Sequence, residues 1–112
     1  MPENYEVIVS PAAEWSLQDI ESFKVDSIGA SKASKFVDDM LLSFIDAIAE
    51  DPARYRFNGR LAEKGIMFRE RLDPDNEYRV LYDFDGKKIF ILIFISMKQD
   101  IEKTLYRYLM SR

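Results

Sequence analysis

Apolar residues recur along this chain at two periods, and the switches between them mark out the elements. Over residues 31–48, Ala33, Phe36, Val37, Met40, Leu41, Phe44, Ile45 and Ile48 repeat at i, i+3, i+4 and i+7, which is the stripe of an amphipathic helix. Lys35, Asp38, Asp39, Asp46 and Glu50 take the other face, and Asp51-Pro52 closes the run, because the residue before a proline avoids the α region. A weaker helical pattern, Ala13, Leu17, Ile20 and Lys24, follows Ser10-Pro11. There the serine suits the N-cap and the proline the first helical position. The pattern breaks over residues 25–30, around Gly29. Two helices separated by so short a break are expected to pack as an antiparallel hairpin.

Strand signals surround this pair. Residues 5–10 (Tyr-Glu-Val-Ile-Val-Ser) are β-branched and end at Pro11. Residues 66–72 alternate, with Ile66, Phe68 and Leu72 opposite Met67, Arg69 and Arg71, and Asp73-Pro74-Asp75-Asn76 is a turn. Residues 78–84 and 88–96 flank Asp85-Gly86, a dipeptide that suits a tight hairpin. The run from Ile89 to Ile95 has no polar alternation, so both its faces are expected to be covered and the strand to lie centrally. Residues 54–65 read as a connecting loop, and a last helix runs from about Asp100 to Met110 with Ile101, Leu105 and Tyr108 or Leu109 inward. The predicted fold class is α+β: a curved antiparallel sheet of four strands, the helical hairpin on one face and the C-terminal helix near an edge. Residues 1–112 read as one domain, long enough to bury about 65% of the surface of its unfolded chain.

Composition then narrows the chemistry. The chain has no cysteine and no histidine, which excludes disulfides, thiolate sites, Ser-His and Cys-His nucleophilic arrangements, and the commonest zinc ligands. The acidic face of the second helix has no metal-binding spacing, and neither a metal nor a cofactor is expected. The longest uninterrupted apolar run spans seven residues, too few to cross a bilayer. The start of the chain lacks the basic and apolar regions of a signal peptide. A cytoplasmic protein with no membrane partner is the expectation. The net charge of −4 conceals an asymmetry: residues 1–52 carry 11 acids and 3 bases, residues 53–112 carry 9 acids and 13 bases.

Several motifs resemble one family. The opening Tyr5-Glu6-Val7-Ile8-Val9-Ser10-Pro11-Ala12-Ala13-Glu14, with Leu17 and Ile20 following, is similar to the start of ParE toxins. Glu50-Asp51-Pro52 matches the end of their second helix. Tyr78-Arg79-Val80-Leu81-Tyr82 resembles a strand shared by RelE and ParE toxins, Asp85-Gly86 sits at their hairpin, and Lys98-Gln99-Asp100-Ile101 corresponds to an Arg-Arg-Asp-Ile tail. The resemblance covers nearly the whole chain, and it implies the RelE/ParE-like order of N-terminal strand, helical hairpin, three-stranded antiparallel meander and short C-terminal helix. It also implies the toxin of a bacterial type II toxin–antitoxin system that inhibits DNA gyrase, arrests growth and is neutralised by a cognate antitoxin. Such a toxin works by binding, not catalysis. The sequence departs from the pattern at Ser96, where ParE toxins usually carry a histidine, and at Lys98-Gln99, where they carry two arginines. The alternatives are a RelE-like endoribonuclease cutting mRNA on the ribosome, and an inactive toxin-fold module that binds antitoxin.

The resemblance nominates Arg79 and Tyr106 as catalytic candidates for the ribonuclease reading and, with Lys98, as target-binding candidates; the basic charge of the second half adds Arg69 and Arg71 to the target-binding candidates. Arg79 is either a phosphate clamp or a structural partner of Asp83 or Glu70. Tyr106 either stacks on a base or belongs to the core or a partner surface. Arg54-Tyr55-Arg56-Phe57-Asn58-Gly59-Arg60 interleaves bases with aromatics, as nucleic-acid loops do. A loop whose rings plug the hairpin while its arginines face water explains that stretch equally well.

Overall fold

The computed structural model describes residues 5–110, the side chain of Leu109 excepted. Its elements run β1 (Glu6–Val9), α1 (Pro11–Ile28), α2 (Ala30–Glu50), α3 (Gly59–Ala62), β2 (Arg69–Asp73), β3 (Tyr78–Phe84), β4 (Lys88–Ser96) and α4 (Ile101–Met110). The helical hairpin forms as its periodicity predicts. Ser10 caps α1, its Oγ accepting from the Ala13 N–H at 3.0 Å with Pro11 in the first turn. The break between the helices is narrower than the six residues expected: α1 continues to Ile28 and Gly29 alone makes the corner. Gly29 has φ 85° and ψ 163°, a combination essentially confined to glycine. Its N–H closes α1 on the Val25 carbonyl, and its own carbonyl starts α2 by accepting from Ala33.

The strand order is β1-β4-β3-β2. β2, β3 and β4 form the expected antiparallel meander. Gly86, at φ 98°, turns the β3–β4 hairpin, and Asp85 Oδ1 accepts from the Lys87 and Lys88 N–H groups at 2.9 and 2.7 Å. β1 corrects the expectation of an all-antiparallel sheet, since it pairs parallel to β4, Glu6 opposite Lys88 through Val9 opposite Ile91. The reason is topological: the helical hairpin crosses over the sheet between β1 and the meander, and a crossover returns the chain in the same direction.

β4 lies between β1 and β3, as its continuous apolar run predicts. A bulge explains how that run serves two faces. Leu81 pairs with Ile93 and Tyr82 with Ile91, so Leu92 is the extra residue. Ile89, Ile91 and Phe94 pack with Val80 and Tyr82 against the hairpin's Ile20, Val37, Met40, Phe44 and Ile48. Ile93 and Ile95 pack with Leu81 on the other face. Alternation thus reverses across Leu92. The backbone around the bulge is satisfied from α1: Ser10 Oγ donates to the Leu92 carbonyl at 2.9 Å, and the Phe94 N–H donates to Ser16 Oγ at 3.0 Å.

α4 packs on the sheet where β4 runs beyond the end of β1: Ile101, Leu105 and Tyr108 cover Leu81, Ile93 and Ile95 on the face opposite the α2 stripe. Those strand residues are apolar on a face where the hairpin contributes Ala12 and Trp15 of α1, and α4 completes the cover. The alternative that Leu109 turns inward falls outside the described residues. Residues 66–72 yield a shorter strand: β2 begins at Arg69, while Ile66 and Phe68 pack into the α4-side core from the preceding loop. The loop 54–65 contains α3, capped by Asn58 Oδ1 accepting from the Leu61 N–H at 3.0 Å.

Candidate target-binding face

Arg79 points to the α4 side of β3, where it meets Glu70 of the neighbouring strand. Its Nη1 donates to Glu70 Oε1 at 3.1 Å, and the Glu70 side chain is only 3% exposed. Asn58 Nδ2 donates to the same oxygen at 3.0 Å, and Arg56 Nη2 lies 3.6 Å from Oε2. One buried carboxylate therefore gathers two guanidiniums and an amide, which offsets the cost of removing its charge from water. Arg79 Nε is enclosed without a hydrogen-bond partner. Of the two acids the sequence offered as partners, Glu70 is the one engaged; Asp83 is exposed and accepts from the Phe84 N–H.

Arg69 and Arg71 sit on β2 against a strap formed by residues 53–58. The strap runs antiparallel to the start of β2: the Asn58 N–H donates to the Phe68 carbonyl at 2.8 Å and the Glu70 N–H to the Arg56 carbonyl at 3.0 Å. Arg69 Nη1 donates to the Ala53 and Tyr55 carbonyls at 3.2 and 2.6 Å, and its guanidinium lies 4.2 Å from the Phe57 ring centre. The Arg71 guanidinium lies 5.2 Å from Phe44 and 5.9 Å from Tyr55. Tyr55 in turn meets Tyr82 edge to face. The Tyr82 hydroxyl donates to the Pro52 carbonyl at 2.6 Å, and burial raises its pKa so that it remains a donor. Tyr55 of the Arg54-to-Arg60 stretch thus packs against the hairpin-side core, while Phe57 stays 36% exposed.

Lys98 and Tyr106 lie elsewhere. Lys98 follows β4, exposed, with Nζ 3.6 Å from Glu77 Oε1. It lines a cavity of about 700 Å³ between α1, the β2–β3 turn and α4, together with Ile20, Phe23, Lys24, Tyr78 and Arg107. Burial raises the pKa of Tyr78. Tyr106 is 65% exposed on α4, so it is not among the helix's core residues. Tyr108, two positions on, is buried; its hydroxyl donates to Asp19 and accepts from Arg107, tying α4 to α1. Burial first, and then the bond to Asp19, raise its pKa. The structure therefore places Arg69 and Arg71 beside the strap on the hairpin face of β2 and Arg79 on the opposite, α4 face, paired with Glu70, while Lys98 lines the cavity and Tyr106 projects into solvent. Sequence reasoning missed the strap itself; its one legible signal was Asn58-Gly59, an N-cap in the middle of a polar stretch. Among the described residues, no group of acids is placed to hold a metal ion. No helix among them is long and apolar enough to cross a membrane.

No family model matches the sequence, and no curated protein matches it. A solved structure does. A chain of the chromosomal ParDE TA system from P. aeruginosa superposes with a TM-score of 0.69, covering 85% of this chain and 98% of that one at 18% identity. The fold is ParE-like. The strand, helical hairpin, meander and final helix of this ParE-like fold agree with the motif order read from the sequence. At this identity the likeness rests on the course of the backbone, since most side chains differ.

Proposed function

We propose that the chain is the toxin of a bacterial type II toxin–antitoxin pair, acting as a single cytoplasmic domain that binds and inhibits DNA gyrase until a cognate antitoxin neutralises it. The observation that carries the reading is the superposition on nearly the full length of a chain from a ParDE system. It is supported by the motifs from Ser10-Pro11 to Asp100-Ile101, which follow one another in the order of this chain's elements. The placement of Arg79 favours binding over catalysis. Its guanidinium is paired with the buried Glu70 and Tyr106 stands apart in solvent, whereas a nuclease needs its groups converged on one phosphodiester.

Expression of the chain alone in bacteria is expected to arrest growth, with relief by a co-expressed antitoxin encoded beside it. Purified protein is expected to inhibit gyrase supercoiling and to leave mRNA intact on ribosomes. Codon-dependent mRNA cleavage that disappears in Arg79→Ala would instead make it a ribonuclease. Normal growth at confirmed soluble expression would leave an inactive antitoxin-binding module.

A further inference from the structure

The basic charge of this chain is concentrated to a degree that the fold does not require. Residues 53–71 hold Arg54, Arg56, Arg60, Lys64, Arg69 and Arg71 against Glu63 and Glu70, a net of +4; residues 72–112 carry seven bases and seven acids. The strap, α3 and β2 thus contain the whole basic surplus of the second half. Glu70 is buried beneath this surface and matched by Arg79. Arg60 and Lys64 face α4, at 3.6 Å from Asp100 and 3.0 Å from Glu102. Arg54, Arg69 and Arg71 are different: among the described residues none of them has a carboxylate within ion-pair distance. Each instead lies by an aromatic ring, Arg54 at 5.5 Å from Tyr55, Arg69 at 4.2 Å from Phe57 and Arg71 at 5.2 Å from Phe44.

We propose that the strap 53–58 and β2 form a binding surface for single-stranded nucleic acid, in which Arg54, Arg69 and Arg71 meet phosphates and Phe57 receives a base. An aromatic neighbour, unlike a carboxylate, leaves a guanidinium's charge unmatched and so available to a phosphate. Arg69 spends Nη1 on two strap carbonyls, which hold its guanidinium at the strap. Phe57 is covered on one side by Arg69 and remains 36% exposed, which leaves ring surface for an unstacked base. A duplex keeps its bases inside and offers that ring nothing; an acidic peptide would use the arginines but has no need of the ring. Cations on the strap and β2 without a carboxylate partner, beside an exposed ring, therefore favour a single strand. The proposal goes beyond the toxin reading and stands or falls separately from it.

The test is fluorescence anisotropy of a labelled short oligothymidylate titrated with the full-length protein at graded salt. Contacts to three phosphates give a slope of about −2 in log K against log salt, and Arg54→Ala or Arg71→Ala is expected to weaken binding severalfold while flattening the slope by about 0.7. Phe57→Ala is expected to weaken binding about fivefold or more with the slope unchanged, and Phe57→Trp to restore it. Lys32→Ala, a change to an exposed cation at the start of α2, is expected to bind as wild type, and thermal melting checks that each variant is folded. Absence of binding at low salt, equal affinity for a duplex, displacement by polyglutamate at equal charge, or an equal loss in Lys32→Ala would each overturn the proposal.

Discussion

Ser16 shows what one hydroxyl does in this fold. It is 1% exposed on the inner face of α1, where the helical pattern calls for an apolar residue. Its Oγ donates to the Ala13 carbonyl at 2.7 Å and accepts from the Phe94 N–H at 3.0 Å, so it supplies the partner that β4 lacks once β1 has ended at Val9. Ser16→Ala leaves a buried N–H unpaired, and the expected cost is about 1–3 kcal/mol, measured by urea denaturation. Glu70 makes the complementary case. Glu70→Ala strands the mostly enclosed Arg79, with an expected loss of about 3 kcal/mol, whereas Glu70→Leu combined with Arg79→Met is expected to recover most of it. A double variant as unstable as the single one would show that the pair matters for geometry more than for charge. The pairing of Arg79 was legible as one of two options. The role of Ser16 was not, because a lone serine on a helix carries no sign of a strand bulge 76 residues further along the chain.

At the scale of elements, legibility followed the regularity of the apolar pattern. The stripe on α2 was read correctly because Ala33, Val37, Met40, Phe44 and Ile48 all face one side. α1 was read less well: its fully buried positions are Ala13, Ser16 and Ile20, while Phe23, Val25 and Ile28 are exposed apolar residues towards its end. α4 depends on its first turn. Asp100 Oδ1 accepts from the Lys103 N–H at 2.9 Å, and this bond, helped by Arg60, holds the carboxyl below its usual pKa of 3.8. A depressed folded-state pKa means that the carboxylate stabilises the helix fully above the ordinary value and loses that effect as pH falls towards the lowered one. The melting-temperature gap between wild type and Asp100→Ala is therefore expected to be constant near neutral pH and to close as the solution is acidified below about pH 4. A gap that persists at lower pH would assign the difference to packing and not to the charged cap.

The whole molecule presents two sheet edges, and they are not equivalent. β2 is overlaid at its start by the strap through the Phe57–Arg69 bridge, while β1 is the terminal strand on the other side with no strand beyond it among the described residues. An unpaired edge is a template for strand addition. On the toxin reading, an extended antitoxin segment is expected to protect amides within Glu6–Val9 from hydrogen exchange while leaving those of Arg69–Asp73 unchanged; the reverse pattern would place it on the strap side. By itself the sequence determined the kinds of element, their order and the helical hairpin, because those follow from local periodicity, caps and turn residues that act over a few positions. It also placed β4 at the centre, since a run apolar on both faces must be covered on both. Only the tertiary structure decided that β1 runs parallel to β4, that α4 covers the second face, that Leu92 is bulged and that the strap shields β2. The strand direction, the bulge and the strap depend on backbone hydrogen bonds between distant segments, made by main-chain groups that leave no mark on side-chain identity, and the seat of α4 depends on which distant apolar face is left to cover.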